Sequence, residues 1–203
     1  MNEYNQEQWE ALLMVRKYLG GLSRSEILEL ESRVAPYLQF RTEVRGFQEE
    51  FFSEICTRKC FAGRTSFCCG REGIATFFAD VVINGLSSTE EEVDLLLKAL
   101  RQDRGGFKCV YLAERGCVWR IKPIVCEMFL CDHAKERVLG NAPALLARWE
   151  DLRSRERQYT WPDRPVLFDE LESLFLQAGF DSPLMYFHRS PGLLRVKARS
   201  RMI

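Results

Sequence analysis

The chain has 203 residues, and its 29 lysines and arginines balance 29 aspartates and glutamates, so that its formal net charge is zero. Without an excess of positive charge the molecule has no long-range field that attracts phosphates, which argues against nucleic acid as a partner. A chain of this length buries about 70% of its unfolded surface on folding and needs no covalent cross-links to form a core. Its eight cysteines are sparser than those of small secreted disulfide scaffolds, in which cysteine usually exceeds about 8% of residues.

The sequence predicts a soluble, cytoplasmic protein with no membrane partner. Residues 1–10 are polar and acidic, and they lack the basic start and apolar run of a secretory signal. The two most apolar stretches, 74–86 and 166–180, contain acidic residues, and neither approaches the roughly 18 apolar residues that a membrane helix needs. In the reducing cytoplasm, grouped thiols are metal ligands or redox groups more often than structural disulfides.

The N-terminal quarter of the chain, residues 5–55, predicts three helices. In the first, apolar residues recur every three or four positions until Gly20 and the following glycine end it. Residues 23–26 have the capping-box arrangement, in which a serine and a glutamate three positions later satisfy each other's backbone amides, so a second helix begins there. A third helix is expected after Pro36, with Cys56 at its C-terminal end.

Four more helices are predicted further along the chain. Residues 72–82 indicate a buried helix that Gly85 and the preceding asparagine stop, and residues 87–100 indicate a helix with one charged face. Residues 142–157 have an apolar stripe opposite an arginine- and glutamate-rich face. The last clear helix spans residues 166–178.

A short β-hairpin interrupts the helical pattern. Residues 107–112 and 118–121 are rich in β-branched and aromatic side chains, and residues 113–116 form the expected turn. Pairing of these strands would bring Cys109 and Cys117 close together. A helix that begins near Pro123 is expected to carry the last two cysteines.

The predicted fold class is mostly α: a single helical domain, residues 1–203, around a cysteine-rich metal-binding centre, with one short β-hairpin. N-terminal helices occupy residues 1–55, the cysteine-cluster core residues 56–131, and C-terminal helices with a basic tail residues 132–203. No acidic residue follows Asp181 in the tail, a pattern that indicates a disordered or solvated segment. The basic residues of the tail are Arg189, Arg195, Lys197, Arg199 and Arg201.

All eight cysteines lie in two groups of four within one stretch of the chain. Four thiolates complete the coordination of a zinc ion or of a four-iron cluster, so this grouping indicates metal binding. The spacing leaves the metal and the number of centres open, because two zinc sites would use all eight thiols and one four-iron cluster would use four. The predicted metal ligands are Cys56, Cys60, Cys68, Cys69, Cys109, Cys117, Cys126 and Cys131.

Two of the cysteine spacings demand particular local structure. Cys56 and Cys60 are four residues apart, so on a helix they share one face, with β-carbons about 5–6 Å apart. Cys68 and Cys69 are adjacent, and their side chains therefore diverge. The two reach one centre only if the backbone turns sharply between them, as Gly70 would permit.

The cysteine pattern also matches a known family motif. The matching pieces are Cys56-x3-Cys60, the pair Cys68-Cys69, a turn ending in Gly116-Cys117, and Lys122-Pro123-x-x-Cys126. This pattern resembles the YkgJ-type cysteine-cluster family, which is described as a zinc- or iron-chelating domain. The resemblance covers residues 56–131 and implies that these cysteines chelate metal.

The resemblance also indicates which metal to expect. A related domain occurs in flagellin lysine methylases, where the cysteine cluster is associated with an iron–sulfur centre, so the resemblance implies an iron–sulfur cluster, of the 4Fe-4S type, or zinc. The chain departs from the family pattern in two places. Seven residues, 61–67, separate Cys60 from the cysteine pair where the family has fewer, and Lys122 stands where arginine is usual.

These observations predict a metal-binding cysteine-cluster protein of unassigned reaction that works with a partner enzyme or protein. A thiol redox protein and a helical interaction module with purely structural zinc are the alternatives. For an enzyme, His133 and His188 are the available histidine bases, and the sequence has no phosphate-binding loop, nucleophile elbow or H-E-x-x-H pair. We expect His133, Glu127 and Asp132, which flank cysteines, to face solvent or to cap a helix.

Overall fold

The computed structural model describes residues 1–70, 75–102 and 108–200, and these residues are mostly helical, as predicted. One π-helix and a two-stranded hairpin accompany the α-helices. The elements are α1 (Glu3–Gly20), α2 (Arg24–Phe52), the π-helix (Ser53–Phe61), α3 (Phe78–Ser87), α4 (Glu90–Arg101), β1 (Leu112–Ala113), β2 (Gly116–Cys117), α5 (Ile124–Glu127), α6 (Asp132–Leu139), α7 (Pro143–Thr160), α8 (Leu167–Gln177), α9 (Tyr186–Arg189) and α10 (Pro191–Arg199).

The first helix and the start of the second lie where the sequence predicts them, but the expected break at Pro36 is wrong. The capping box is present: the Ser23 amide donates to a Glu26 carboxylate oxygen at 2.7 Å, and the Ser23 side chain accepts from the Glu26 amide. Helix α2 then continues through Pro36 for 29 residues. Proline removes one hydrogen bond, but Tyr37 and Phe40 just beyond it are buried in the core, and this packing outweighs the local cost.

Helix α3 extends to Ser87, past the stop expected at Asn84 and Gly85. Both residues lie within the helix because they make tertiary contacts there. The Asn84 side chain is fully buried, and its oxygen accepts a hydrogen bond from the Ile121 amide at 2.9 Å. Gly85 lies where α3 crosses α1, and there it permits a close approach. The start predicted for this helix, residues 72–74, lies outside the described residues.

The hairpin is shorter than predicted and is shifted toward the expected turn. It pairs Leu112 with Cys117 and Ala113 with Gly116, and Gly116 is left-handed, with φ of 115°. Residues 118–121 do not continue the ladder; Trp119 packs edge-on against Tyr111, with ring centroids 5.4 Å apart. The predicted strand began at Phe107, which lies outside the described residues.

A single connected core joins the N- and C-terminal helices. Helix α1 packs against α3 and α4, and α3 packs against α8, which also contacts α7 and α9. Aromatic rings fill this core: Phe175 of α8 lies 4.9 Å from Phe78 and 4.3 Å from Tyr18 between ring centroids. Among the described residues, none of the helices has the length and apolar character to cross a membrane.

The close crossing of α1 and α3 predicts a marked cost for Gly85→Ala. A β-carbon at this position would lie 2.9 Å from Cγ1 of Val15 and 3.3 Å from Cδ1 of Leu19. Val15 is buried and β-branched, so it cannot rotate away freely. We expect a loss of about 1–3 kcal/mol in the free energy of unfolding, measured by urea denaturation.

Gly46→Ala is the matched control for this substitution. Gly46 also lies within a helix, α2, but a β-carbon there meets nothing within 4 Å. Removing backbone freedom without a clash should increase stability by about 0.5–1 kcal/mol. Equal effects at the two glycines would contradict the close packing of α1 on α3.

The basic tail is helical, so the expectation of disorder is wrong, but Arg189, Arg195 and Arg199 are exposed, as expected of a solvated segment. Helix α10 buries Lys197, which is 3% exposed and whose ammonium bonds the Asp169 carboxylate of α8. His188 lies beside this pair, with its Nε2 atom 3.4 Å from the Lys197 Nζ atom. The buried polar contact had no visible sequence signal, because Lys197 sits among the other basic residues. Arg201 lies outside the described residues.

The buried carboxylate of Glu172 predicts that stability falls as pH rises. Burial raises the pKa of Glu172 to about 7, although His188 Nδ1, 3.0 Å away, and Lys197 favour the charged form. Its pKa in the unfolded chain is about 4.3. The folded protein thus binds more protons than the unfolded chain between these values, so this stabilisation is complete below about pH 4 and is lost as pH rises through 7.

Glu172→Gln removes this titration while keeping an oxygen that can accept from His188. We expect the wild-type chain to lose on the order of 2–3 kcal/mol of unfolding free energy relative to the variant between pH 4.5 and pH 8. Urea denaturation at several pH values measures the difference. Parallel pH profiles for the two proteins would contradict a raised pKa at Glu172.

Candidate metal centre

The first two cysteines lie on the π-helix that follows α2. Cys56 and Cys60 are half-buried there, four residues apart on consecutive turns. The π-helix ends with the Ala62 amide donating to the Thr57 carbonyl at 2.9 Å, a hydrogen bond across five residues. π-Helical turns are rare and occur frequently at functional sites. Cys56 therefore lies on a helix, as predicted, but that helix is a π-helix, which is wider than the expected α-helix.

A tight loop after the π-helix brings Cys68 and Cys69 back toward it. The Cys60 carbonyl accepts hydrogen bonds from the amides of Thr65, at 2.9 Å, and Ser66, at 3.2 Å. Arg64 and Ser66 adopt left-handed backbone conformations, with φ of 58° and 39°. The chain therefore turns before the cysteine pair and turns again at the pair, where the Cys69 amide donates to the Ser66 carbonyl at 3.0 Å.

Backbone contacts join the two cysteine groups. The Cys109 amide donates to the Cys69 carbonyl at 2.8 Å, and Gly70 forms an antiparallel bridge with Lys108. The Lys108 ammonium donates to the carbonyl of Ser66 at 3.2 Å. A segment of the first group is thus paired edge to edge with the start of the second.

The hairpin keeps Cys109 and Cys117 close, as predicted. The Leu112 amide donates to the Cys109 carbonyl at 3.1 Å, and Leu112 is in turn the strand partner of Cys117. The Val118 amide donates to the Tyr111 carbonyl at 3.0 Å and continues the contact beyond the ladder. Cys69, Cys109 and Cys117 are therefore linked by successive backbone contacts.

The last two cysteines lie on separate short helices, not on one helix as predicted. Cys126 is part of the four-residue helix α5, which follows Pro123. The chain leaves the helical conformation after Met128, and Cys131 occupies the N-cap position of α6. His133 and Asp132, in the first turn of α6, are exposed, as expected.

A buried polar network fixes the segment that contains Cys126 to helix α2. Arg41, 3% exposed, donates to the Tyr37 hydroxyl at 2.7 Å, to the Lys122 carbonyl at 2.7 Å and to the Glu127 carboxylate at 3.4 Å. Gln48 donates to the Glu127 carbonyl. Glu127 is 3% exposed, so the expectation that it faces solvent or caps a helix is wrong.

Helix α3 holds the same segment from the other side. Asp80, 2% exposed, accepts from the Ile124 amide at 3.0 Å with one carboxylate oxygen and from the Phe77 amide at 3.1 Å with the other. Burial raises the pKa of Asp80 to about 7, although Arg41 and these two amides favour its charged form. Two core helices thus position the backbone on either side of Cys126.

The thiol of Cys56 interacts with three others drawn from both sequence groups. Its pKa is raised to about 11, first by burial and then by the proximity of the thiols of Cys68, Cys131 and Cys60. Each neighbouring thiol disfavours a second negative charge nearby. We call Cys56, Cys60, Cys68 and Cys131 the π-helix set, although Cys68 also contributes to raising the pKa of Cys109 and of Cys126.

The remaining four thiols form a second set around the hairpin, Cys69, Cys109, Cys117 and Cys126, which we call the hairpin set. Burial raises the pKa of Cys126 to about 12, with further contributions from Cys109 and Cys117. Burial likewise raises the pKa of Cys109 to about 11, with Cys117 contributing. The thiol of Cys69 also interacts with both hairpin cysteines.

Cys68 and Cys69 connect the two sets but differ in character. The two thiols are hydrogen bonded, which lowers the pKa of Cys68 and raises that of Cys69. Lys122 and Lys108 also favour the Cys68 thiolate. Cys68 is exposed, whereas Cys69 is partly buried.

Within the described ranges, no three cysteine, histidine, aspartate or glutamate side chains are arranged so that they could hold a metal ion. The thiols interact electrostatically, and metal binding would require their side chains to turn toward a common point. Comparison of the chain with models of protein families, with curated proteins and with solved structures finds no match.

Sequence reasoning missed the residues that position the cysteines. Arg41, Asp80 and Asn84 lie in helices distant in sequence from the cysteines, and they reach the cysteine segment only through tertiary packing. Asp80 was the one available signal, because a lone carboxylate inside an otherwise apolar helix needs buried donors. Arg41 resembled an ordinary helix position, and Asn84 was interpreted as part of a helix stop.

Proposed function

We propose that this protein binds metal through its eight cysteine thiolates, as an iron–sulfur cluster or as zinc, and acts in the cytoplasm as a cysteine-cluster protein of the YkgJ type. The supporting observation is the electrostatic interaction among thiols from both sequence groups. Without a cation, burial and mutual repulsion keep such thiols protonated. A metal ion replaces these protons and binds the thiolates, and so the donor set fits a metal.

The ligands divide into the π-helix set and the hairpin set, with one metal centre for each. The thiols of Cys68 and Cys69 are hydrogen bonded, so the two cysteines lie where the sets meet; Cys68 is assigned to the π-helix set by its interaction with Cys56, and Cys69 to the hairpin set by its interactions with Cys109 and Cys117. The backbone contacts of Cys69 with Cys109, and of Leu112 with Cys109 and Cys117, support the hairpin set. Four thiolates meet the coordination number of a zinc ion or of a four-iron cluster.

The proposed role is to handle electrons for a partner protein or to organise the fold around the metal. Lys108 and Lys122 lie near Cys68 and would offset the negative charge of a thiolate centre. A thiol redox function is the second candidate. The observation in its favour is that Cys68 is exposed and has a lowered pKa, the combination that makes a thiol reactive.

Metal and acid-labile sulfide analysis of the anaerobically purified chain tests the proposal. We expect iron with sulfide and a visible charge-transfer absorption, or about two zinc ions per chain and no colour. Protein that contains neither metal would contradict metal binding. Thiol counting then separates the redox alternative, because chelation should expose protected thiols only if a metal was bound.

A further inference from the structure

The loop between the π-helix and the cysteine pair displays a phenylalanine to solvent. Phe67 is 76% exposed, more than any other large hydrophobic side chain in the described residues. It directly precedes Cys68, which is also exposed. An exposed aromatic ring is costly in water, and aromatic residues are enriched at protein interfaces.

The loop holds a defined and strained conformation. Arg64 and Ser66 both have left-handed backbone conformations, with φ of 58° and 39°, which are unfavourable for residues other than glycine. Hydrogen bonds to the Cys60 carbonyl and from the Lys108 ammonium fix the loop, and Ser66 is only 6% exposed. Strain of this kind persists where surrounding contacts enforce it, and it clusters at functional positions.

The surroundings of Phe67 are basic. Lys108 and Lys122 both lie near Cys68. Lys108 is exposed and its ammonium donates to the carbonyls of Thr65 and Ser66, while Lys122, 46% exposed, pairs with Glu127 at 3.8 Å. Arg64 in the loop is exposed as well. This local positive charge contrasts with the zero net charge of the whole chain. A partner that meets this surface is therefore acidic.

A second exposed apolar stretch lies in the segment of the last two cysteines. Val125, 36% exposed, precedes Cys126, and Phe129, 51% exposed, lies between Cys126 and Cys131. Apolar contact area at the metal ligands suits a partner that exchanges electrons with the centre, because it brings the two proteins close where the ligands are.

We propose that the loop 63–68 is the docking element for an acidic protein partner, in which Phe67 enters an apolar pocket of the partner while Lys108 and Lys122 face its carboxylates. The inference rests on the proposed function, since the partner is the protein that the metal centre serves. Residues 61–67, which distinguish this chain from the YkgJ-type pattern, thereby gain a role in recognition.

Protein is a better occupant of this surface than a membrane or nucleic acid. Two lysines and one ring give only weak, reversible attachment to an anionic bilayer. Truncating an aromatic anchor that fills a pocket of a protein often weakens binding by about tenfold or more. The absence of net charge on the chain also gives nucleic acid no long-range attraction.

Photocrosslinking with the full chain tests the docking element. Benzoyl-phenylalanine replaces Phe67 in one version and Leu146, 41% exposed on α7, in a matched control, and both are expressed in the native cells. We expect position 67 alone to crosslink to one acidic protein. That protein, purified, should bind the chain with a Kd that rises with salt and rises at least about tenfold for Phe67→Ala but not for Leu146→Ala.

Several results would overturn the docking proposal. In the crosslinking experiment these results are equal crosslinking at both positions, no crosslinking at position 67, or crosslinks to lipid, to nucleic acid or to a second copy of the chain. In the binding experiment it is a Kd that Phe67→Ala leaves unchanged. Metal content is measured on the same samples, and Phe67→Ala should retain the wild-type amount. A chain without metal contradicts the proposed function, whereas a metal-loaded chain that fails to crosslink contradicts only the docking element.

Discussion

Cys56→Ser is expected to remove about half of the metal bound by the chain. Serine keeps the shape of cysteine but does not provide a thiolate, so the π-helix set loses one of its four ligands. The hairpin set contains no ligand from the π-helix and should keep its metal. The metal content per chain, measured on anaerobically prepared protein by elemental mass spectrometry, gives the result directly.

Cys109→Ser is the reciprocal substitution, and Thr57→Ala is the control. Cys109→Ser should remove the other half of the metal, and the double variant should bind almost none. Thr57 is exposed on the π-helix next to Cys56 and should be replaceable without loss of metal. If either cysteine substitution alone removed all the metal, the two sets would be one centre, and the division between Cys68 and Cys69 would be wrong.

Arg41→Met is expected to reduce the free energy of unfolding by about 3–5 kcal/mol. The substitution leaves the buried Glu127 carboxylate without its arginine, and it also removes donors from the Tyr37 hydroxyl and the Lys122 carbonyl. Removing one partner of a buried ion pair typically costs this much, and the Glu127 carboxylate would keep only the half-exposed Lys122 ammonium, 3.8 Å away. Methionine has a helix propensity close to that of arginine, so the helix itself is not the cause.

Arg33→Met on the same helix is the control for this effect. Arg33 pairs with Glu29 at 2.5 Å, but both side chains are more than half exposed. Exposed pairs contribute little, and we expect a change within about 0.5 kcal/mol. Urea denaturation of the metal-loaded proteins measures both. A loss below about 1 kcal/mol for Arg41→Met would show that the network does not hold the Cys126 segment.

Local sequence signals predicted the helices well where local interactions determine them. The capping box at Ser23 and the left-handed glycine after α8, Gly179 with φ of 81°, mark helix ends that depend only on nearby residues. The prediction failed at Pro36 and at Gly85, where burial of distant side chains decides the outcome. Tertiary packing overrides helix-breaking residues when the neighbouring turns are buried.

The cysteines themselves were evident from the sequence, but their grouping was not. Chain order suggested that Cys56 to Cys69 form one unit and Cys109 to Cys131 another. The thiol interactions instead pair Cys131 with Cys56 and connect Cys69 to the hairpin. These contacts between thiols of different sequence groups depend on the backbone bridge between Gly70 and Lys108. Spacing rules describe only neighbours in sequence, so they could not predict that contact.

The central claim is that cysteine thiolates alone hold the metal. X-ray absorption at the iron and zinc edges of the anaerobically purified full chain tests it most directly, because it identifies the atoms bound to the metal. The account predicts a metal surrounded by sulfur at about 2.3 Å, with no nitrogen or oxygen neighbours. Nitrogen or oxygen ligands, or the absence of stoichiometric metal at both edges, would contradict it.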